Sequence, residues 1–323
     1  MKYAVYQRKH FGDALLTIPL INLLADQGES EEVYVICNPN TKVIFENARA
    51  AVNVVVMPSS LSAWVKFFFL LRKIDYWLLP HRSKTGLILG KLVGSKTVSE
   101  PIYHWLFGGP TIIVKSCLNG PRHIIDRHLD FARVCGIFPS ITSANLDLSF
   151  LSSKQRLVAT EYLVVHPGSR WMFKSPRIEF WKTLLSLLTK LGLPILLTGQ
   201  KEGEEGRLLK NLGSIDGVDA RFVGRTNIPE LVSLIENASG FLGVDTFAAH
   251  IASGTGRRGI VLFGPTCHKT WGPYSDSSLK VMSYRISCRP CLQDGCAGSK
   301  KSQCLDYMDP NEVASEFRGL FET

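Results

Sequence analysis

Tyr162-Leu163-Val164-Val165-His166-Pro167-Gly168-Ser169 is an apolar, β-branched run that stops at Pro-Gly and gives way to a hydroxyl side chain. Such a run reads as a fully buried strand followed by a turn. Comparable runs recur at Pro194–Leu197, Arg221–Val223, Phe241–Val244 and Gly259–Phe263, and the stretches between them have helical period. After the first run, the pattern predicts Ser175 as N-cap and Pro176 at the first helical position. A stripe of Ile178, Trp181, Leu184, Leu185, Leu188 and Leu191 follows, stopped by Gly192. Asn227 and Glu230 have capping-box spacing ahead of Leu231, Leu234 and Ile235. Strands alternating with helices imply an α/β domain with a parallel sheet and right-handed crossovers.

Towards the N-terminus the same alternation predicts strands near Tyr3–Tyr6, Val33–Cys37, Val52–Met57 and Tyr76–Leu79, with helices near Ala14–Ala25, Leu61–Arg72 and Thr85–Val93. This is a second doubly wound domain. The Pro-, Ser- and Thr-rich stretch Phe138–Asn145 is the expected linker, placing the domains at 1–150 and 151–323. A chain of 323 residues has room for two such cores. With 45% hydrophobic and 20% charged residues, disordered, collagen-like and mucin-like classes are excluded.

The net charge of +9 favours a negatively charged partner, and eleven Lys and Arg stand against four Asp and Glu between Ser59 and Arg133. No recognition motif accompanies the charge, so nucleic acid is not expected. The N-terminal segment turns basic after four apolar residues and lacks the apolar core of a secretion signal, which predicts a cytoplasmic protein. Leu61 to Leu71 is too short to span a bilayer. Its Trp64, Phe67, Phe68 and Phe69, beside Lys66, Arg72 and Lys73, suit either the core or a peripheral contact with the inner face of the cytoplasmic membrane.

Ligands of open α/β sheets bind at the carboxyl ends of the strands. Those ends read His166-Pro167-Gly168-Ser169, Thr198-Gly199-Gln200-Lys201, Gly224-Arg225-Thr226, Asp245-Thr246 and Gly264-Pro265-Thr266. The set suits a nucleotide-like ligand, although polar loops with glycine are also what any such sheet needs in order to turn. Lys174 precedes a predicted helix N-terminus, where free N–H groups favour an anion. Gly254 to Gly259 matches G-x-G-x-x-G, but it follows a helix and enters a strand, the reverse of the dinucleotide-binding context. No Walker A motif and no Asp-x-Asp pair is present. A bound diphosphate must therefore be neutralised by Lys174, Arg170, Arg225 and helix ends. In the first domain, Asp13 closes the loop Arg8-Lys9-His10-Phe11-Gly12 after the first strand, where it suits either a helix cap or a general base.

Lys2-Tyr3-Ala4-Val5, Gly12-Asp13-Ala14-Leu15-Leu16-Thr17-Ile18-Pro19, His166-Pro167-Gly168-Ser169 with Lys174, Gly243-Val244-Asp245-Thr246 with His250, Leu262 to Thr266, and Trp271-Gly272-Pro273-Tyr274 occur in that order. Together they resemble the ADP-heptose lipopolysaccharide heptosyltransferases of glycosyltransferase family nine. The resemblance implies a GT-B architecture, two Rossmann-like domains facing a cleft, with acceptor on the first and nucleotide sugar on the second. It also implies metal-independent transfer of heptose from ADP-heptose to the anionic lipopolysaccharide inner core, with inversion. Asp13 then matches the general base, with Arg8, Lys9, His10 and Gly12 beside the acceptor. Gly168, Ser169, Lys174, Gly199, Asp245 and Thr246 match donor contacts, Lys174 also assisting catalysis. Glu202 or Glu204 stands where a ribose-binding carboxylate falls, and His250 is assigned a structural role. Another acceptor, another nucleotide sugar, or a non-catalytic nucleotide-binding protein are the alternatives. Phe247 stands where the family usually has glycine, and Ser175-Pro176-Arg177 replaces an aromatic-rich segment. No cofactor is required for this chemistry. Cys288, Cys291, Cys296 and Cys304 have spacing that suits either a structural zinc or iron ion or four reduced thiols packing a loop.

Overall fold

A computed structural model describes residues 1–28, 31–48, 52–115, 121–139, 145–274 and 278–322. The chain divides into two compact units, Met1–Leu146 and Asp147–Thr323. The core of the expected linker, residues 140–144, lies outside the described residues.

The first unit holds six parallel strands, β1 (Lys2–Gln7), β2 (Glu32–Cys37), β3 (Asn53–Val56), β4 (Tyr76–Leu79), β5 (Lys96–Ser99) and β6 (Ile112–Ile113), ordered β3-β2-β1-β4-β5-β6. The opening strand sits mid-sheet, buried from Tyr3 onwards, so its two neighbours belong to two runs that grow outward in opposite directions. Trp77, fully buried on β4, anchors a core with Tyr6, Ile36, Leu71 and Leu87. The predicted Ala14–Ala25 helix is two helices, Phe11–Leu15 and Ile18–Ala25. Pro19, which lacks an N–H, fits only the first turn and so restarts the helix. Strand β5 escapes the sequence reading because it is short and carries Lys96, Thr97 and Ser99 in place of an apolar run, and β6 because it is only two residues long.

The second unit repeats the plan with β7 (Leu163–His166), β8 (Ile195–Leu197), β9 (Val218–Asp219), β10 (Gly240–Val244), β11 (Gly259–Leu262) and β12 (Leu279–Met282), all parallel in the order β12-β11-β10-β7-β8-β9. The helix Ile178–Leu188 buries Trp181, Leu184, Leu185 and Leu188 against this sheet's core. Arg221–Val223, read as a strand, is instead a turn in which Val223 N–H donates to Ala220 O; the strand lies earlier, at β9. β12 was not anticipated.

Asn227 caps the helix Ile228–Glu236 as its spacing requires. Its side chain accepts from Glu230 N–H at 2.9 Å, and Glu230 accepts from Asn227 N–H at 2.8 Å. Asn227→Ala should lower the stability of the second unit by about 1 kcal/mol, read as a shift of its urea-unfolding midpoint. An unmoved midpoint would show that the cap contributes nothing.

Candidate active site

In each sheet the strand order reverses beside the first strand of that unit, between β1 and β4 in one and between β7 and β10 in the other. Loops leaving adjacent strands diverge there, and that is where open α/β sheets hold ligands.

In the second unit, Gly243 of β10 is in register with His166 of β7, which brings the loop at Gly168 beside Asp245. Lys174 reaches across this point, its Nζ 2.7 Å from Asp245 Oδ2. Thr266 Oγ1, from the loop after β11, donates to the same oxygen at 2.7 Å. Asp245 is buried and Lys174 partly exposed, so the pair is shielded on one side and open on the other. Thr246 is the N-cap of the helix Phe247–Gly254, within which His250 is buried. Phe247 sets its ring edge-to-face with His166, centroids 6.1 Å apart.

Ser175 is not the helix cap that its position suggested. Arg177 is, because the backbone at Ser175 and Arg177 is extended and the helix starts only at Ile178. Lys174 therefore ends a short 3₁₀ turn, Met172–Lys174, four residues before the helix begins at Ile178. Ser175 Oγ instead donates to Pro167 O at 2.6 Å and accepts from Trp181 Nε1 at 3.1 Å, tying the Gly168 loop to the core. Ser169 is buried, and its hydroxyl accepts from Trp171 N–H at 3.2 Å.

Glu202 and Glu204 are both exposed. Glu202 is the N-cap of the helix Gly203–Leu212, and Glu204 lies 3.9 Å from Arg207. The carboxylate that faces the glycine turns is Glu205, which sequence reasoning missed. A Cβ added at Gly168 would meet its Cγ, and one at Gly199 would come within 2.6 Å of its Oε1. Burial raises the Glu205 pKa, opposed by a hydrogen bond from the Gln200 backbone. Its signal was present in the sequence, since Glu205 occupies the apolar stripe of Leu208, Leu209 and Leu212.

In the first unit, Asp13 lies inside the helix Phe11–Leu15, whose N-cap is His10, so it is not the cap. Its Oδ1 is 3.7 Å from His81 Nε2, from the loop after β4. Gln7 Nε2 donates to Asp13 O at 3.1 Å and to Thr17 Oγ1 at 2.6 Å, which fixes the turn. Arg8 bonds Asn38 Oδ1 and Tyr6 Oη, Lys9 N–H donates to Gln7 Oε1, and Gly12 is in the helix's first turn. Arg8, Lys9, His10, Gly12 and Asp13 thus share one loop and turn, whereas Gly168, Ser169, Lys174, Asp245 and Thr246 gather in the other unit.

The four C-terminal cysteines do not form the tetrahedral set their spacing suited. All four are free, and among the described residues no three potential ligands converge as a metal centre. Cys304 is buried while Cys288 is exposed, and burial, with Cys296, Cys291 and Cys288 acting in the same sense and Arg289 opposing, pushes the Cys304 thiol up to about 11. As placed among the described residues, the four thiols form no closed metal site.

Residues 122–302 match the model of glycosyltransferase family 9 (heptosyltransferase). Lipopolysaccharide heptosyltransferase 3 of Escherichia coli is 23% identical over 290 residues, 83% of this chain and 85% of the relative. The enzyme of the same name from strain K12 is 25% identical over 169 residues, so the match spans about half of that relative's length (48%) and 49% of this chain. Among solved structures, a glycosyl transferase family 9 protein from Veillonella parvula aligns with a TM-score of 0.78 at 17% identity, covering 100% of this chain and 98% of that one. E. coli heptosyltransferase WaaC with ADP aligns at 0.74 and 18% identity, covering 99% and 100%. These likenesses show the two-domain α/β fold of the heptosyltransferases.

Burial holds three histidines neutral. It lowers His81 to about 4, helped by Lys9 and Arg127, His128 to about 3, helped by His81, and His166 to about 4. Unfolded, each protonates near the ordinary 6.5. Below that pH the unfolded state therefore binds more protons, so their stabilisation is whole above about 6.5 and is lost as the pH falls towards 4. His128→Asn, whose amide can replace Nδ1, should make the loss between pH 6.5 and 4 shallower in urea unfolding. An unchanged slope would contradict this linkage.

Proposed function

Because the chain belongs to glycosyltransferase family 9, we propose that it transfers heptose from ADP-heptose to the inner core of a lipopolysaccharide in one displacement that inverts the anomeric carbon. The observation that carries the reading is the Lys174–Asp245 pair at the reversal point of the second sheet, next to the glycine turn at Gly168. The neighbour solved with ADP supports the nucleotide, and the heptosyltransferase relatives support sugar and acceptor.

In the reaction the acceptor hydroxyl oxygen bonds to the anomeric carbon while the bond from that carbon to the diphosphate oxygen breaks. The electron pair departs on ADP, and the hydroxyl proton passes to Asp13. Lys174, held by Asp245, meets the negative charge growing on the diphosphate, with N–H groups of the Gly168-Ser169 turn as further donors. Gly199 and Thr246 complete the donor side. Glu205, beneath the same turns, replaces Glu202 and Glu204 as the carboxylate nearest the donor loops. Arg8, Lys9, His10 and Gly12 meet the anionic acceptor. No charge is routed through a metal, since Lys174 supplies the cation and the sequence lacks an Asp-x-Asp pair.

With ADP-heptose, heptose-deficient lipopolysaccharide and EDTA present, the wild type should release ADP. Asp13→Ala should lower kcat at least a hundredfold. Lys174→Ala should lower kcat about a hundredfold and raise the donor KM. Full turnover by Asp13→Ala would remove it as base, and wild type inert towards this donor would remove heptose.

The acceptor's lipid anchor suits the helix Leu61–Leu71. Phe67 is buried, and Trp64 and Phe68 pack against the core, as the core alternative required, but Phe69 faces outward. Leu61, Val65 and Phe69, one turn apart, are 83%, 66% and 65% exposed. Arg72 stacks on Phe69 at 4.1 Å, with Lys66 and Lys73 alongside. Among the described residues no helix is long and apolar enough to cross a membrane. An apolar stripe edged by cations is built to rest on an anionic bilayer. Wild type should float with phosphatidylglycerol vesicles but not with phosphatidylcholine, and a Val65→Glu, Phe69→Glu variant with neither. Equal flotation of variant and wild type would exclude this surface.

A further inference from the structure

The reversal point of the first sheet holds more than Asp13. His81 follows β4 by two residues, and β4 pairs with β1 from Tyr3↔Tyr76 to Val5↔Leu78, so the two loops leave the sheet as neighbours. His81 Nε2 is sealed from solvent and has no hydrogen-bond partner, yet it stands 3.7 Å from Asp13 Oδ1. Behind it, His128 of the helix Ile124–Arg133 sets its ring edge-to-face with His81, centroids 5.1 Å apart at 88°.

His128 Nδ1 is 3.0 Å from Leu16 O, and a carbonyl only accepts, so Nδ1 carries the hydrogen. His128 Nε2 is then a bare acceptor, also buried and without a hydrogen-bond partner. Two imidazoles with an orphaned nitrogen each are costly in a core where leucine would pack without that cost. His81 stands next to the Asp13 carboxylate, and His128 packs on His81. Buried polar atoms left unpaired in this way ask for a role beyond packing.

We propose that His81 is a positioning residue for Asp13: a small side-chain rotation lets its neutral Nε2–H donate to Oδ1 and hold the carboxylate with Oδ2 presented to the acceptor hydroxyl. The inference rests on the reading of Asp13 as the base. His128 keeps the His81 ring in the required plane by its edge-to-face contact. A neutral donor is the appropriate partner here, because a lysine or arginine in its place would pair with the carboxylate and weaken it as a proton acceptor. The surrounding charges agree with that neutrality. Lys9 and Arg127 disfavour a proton on His81, while Glu100 acts in the opposite sense and burial is the larger effect.

The test compares two neutral replacements. His81→Gln carries an amide nitrogen to about the place of Nε2, whereas His81→Asn stops at about Nδ1. In the ADP-release assay His81→Asn should lose tenfold or more in kcat with both KM values within about twofold of wild type, and His81→Gln should recover to within about threefold. Equal losses in both variants, a loss confined to KM, or full kcat in His81→Asn would overturn the inference. Asp13→Asn, run alongside, separates the two readings. If it turns over like wild type, the base assignment fails, whereas an inert Asp13→Asn beside a fully active His81→Asn removes only His81. Independently of turnover, imidazole ¹⁵N spectra of the wild type should show His81 as the Nε2–H tautomer, its Nε2 signal moving in Asp13→Asn. An Nδ1–H tautomer would overturn the inference even where no substrate is turned over.

Discussion

A parallel sheet whose first strand lies in its middle must grow outward in two directions, and right-handed crossovers then send the loops of the two central strands apart. Both units obey this constraint, with β1 beside β4 in one and β7 beside β10 in the other. Every candidate functional group follows from it. Asp13 and His81 end up neighbours although 68 positions separate them in the chain, and Lys174 meets Asp245 although 71 separate them. Glycine stands at 168, after β7, and at 199, after β8, because the Glu205 side chain fills the space a Cβ would need at either position.

The sequence was legible where burial alone decides the residue types. Leu163–Val165 and Phe241–Val244 are apolar because both faces of a parallel strand are covered. Asn227 and Glu230 spelled out their cap because that interaction spans three residues and needs no tertiary context. Reading failed where a tertiary contact overrode a local signal. Ser175-Pro176 has the local form of a helix start, but Ser175 bonds Pro167 O and Trp181 Nε1, contacts that spacing does not display. Arg221–Val223 is short and apolar enough for a strand, yet the chain has already paired at Val218–Asp219 and is turning.

The site residues were legible in proportion to how local their surroundings are. Asp13 and Lys174 stand out as candidates because strand ends are the place to look, but their contacts do not, since pairing depends on strand order. Glu205 and His128 share one cause of omission. Each occupies the buried stripe of its helix, Glu205 with Leu208 and Leu209, His128 with Ile124, Ile125 and Leu129. A polar residue on an apolar stripe is a strong sign of a buried polar contact, and it is stronger than the simple proximity that favoured Glu202 and Glu204.

Three carboxylates, Asp245, Glu205 and Asp13, show how differently one functional group can be surrounded. Asp245 faces an ammonium and a hydroxyl within 2.7 Å, an arrangement that fixes Lys174 in place. Glu205 faces glycine backbone, one N–H and, at 4.0 Å, His166 Nε2, and burial there favours its uncharged form. Asp13 has neither a fixed cation nor a dry pocket. It faces the His81 imidazole at 3.7 Å and is partly open to solvent. Of the three, Asp13 is the one without a bonded ammonium and without full burial, the surroundings that the proposed role as base calls for.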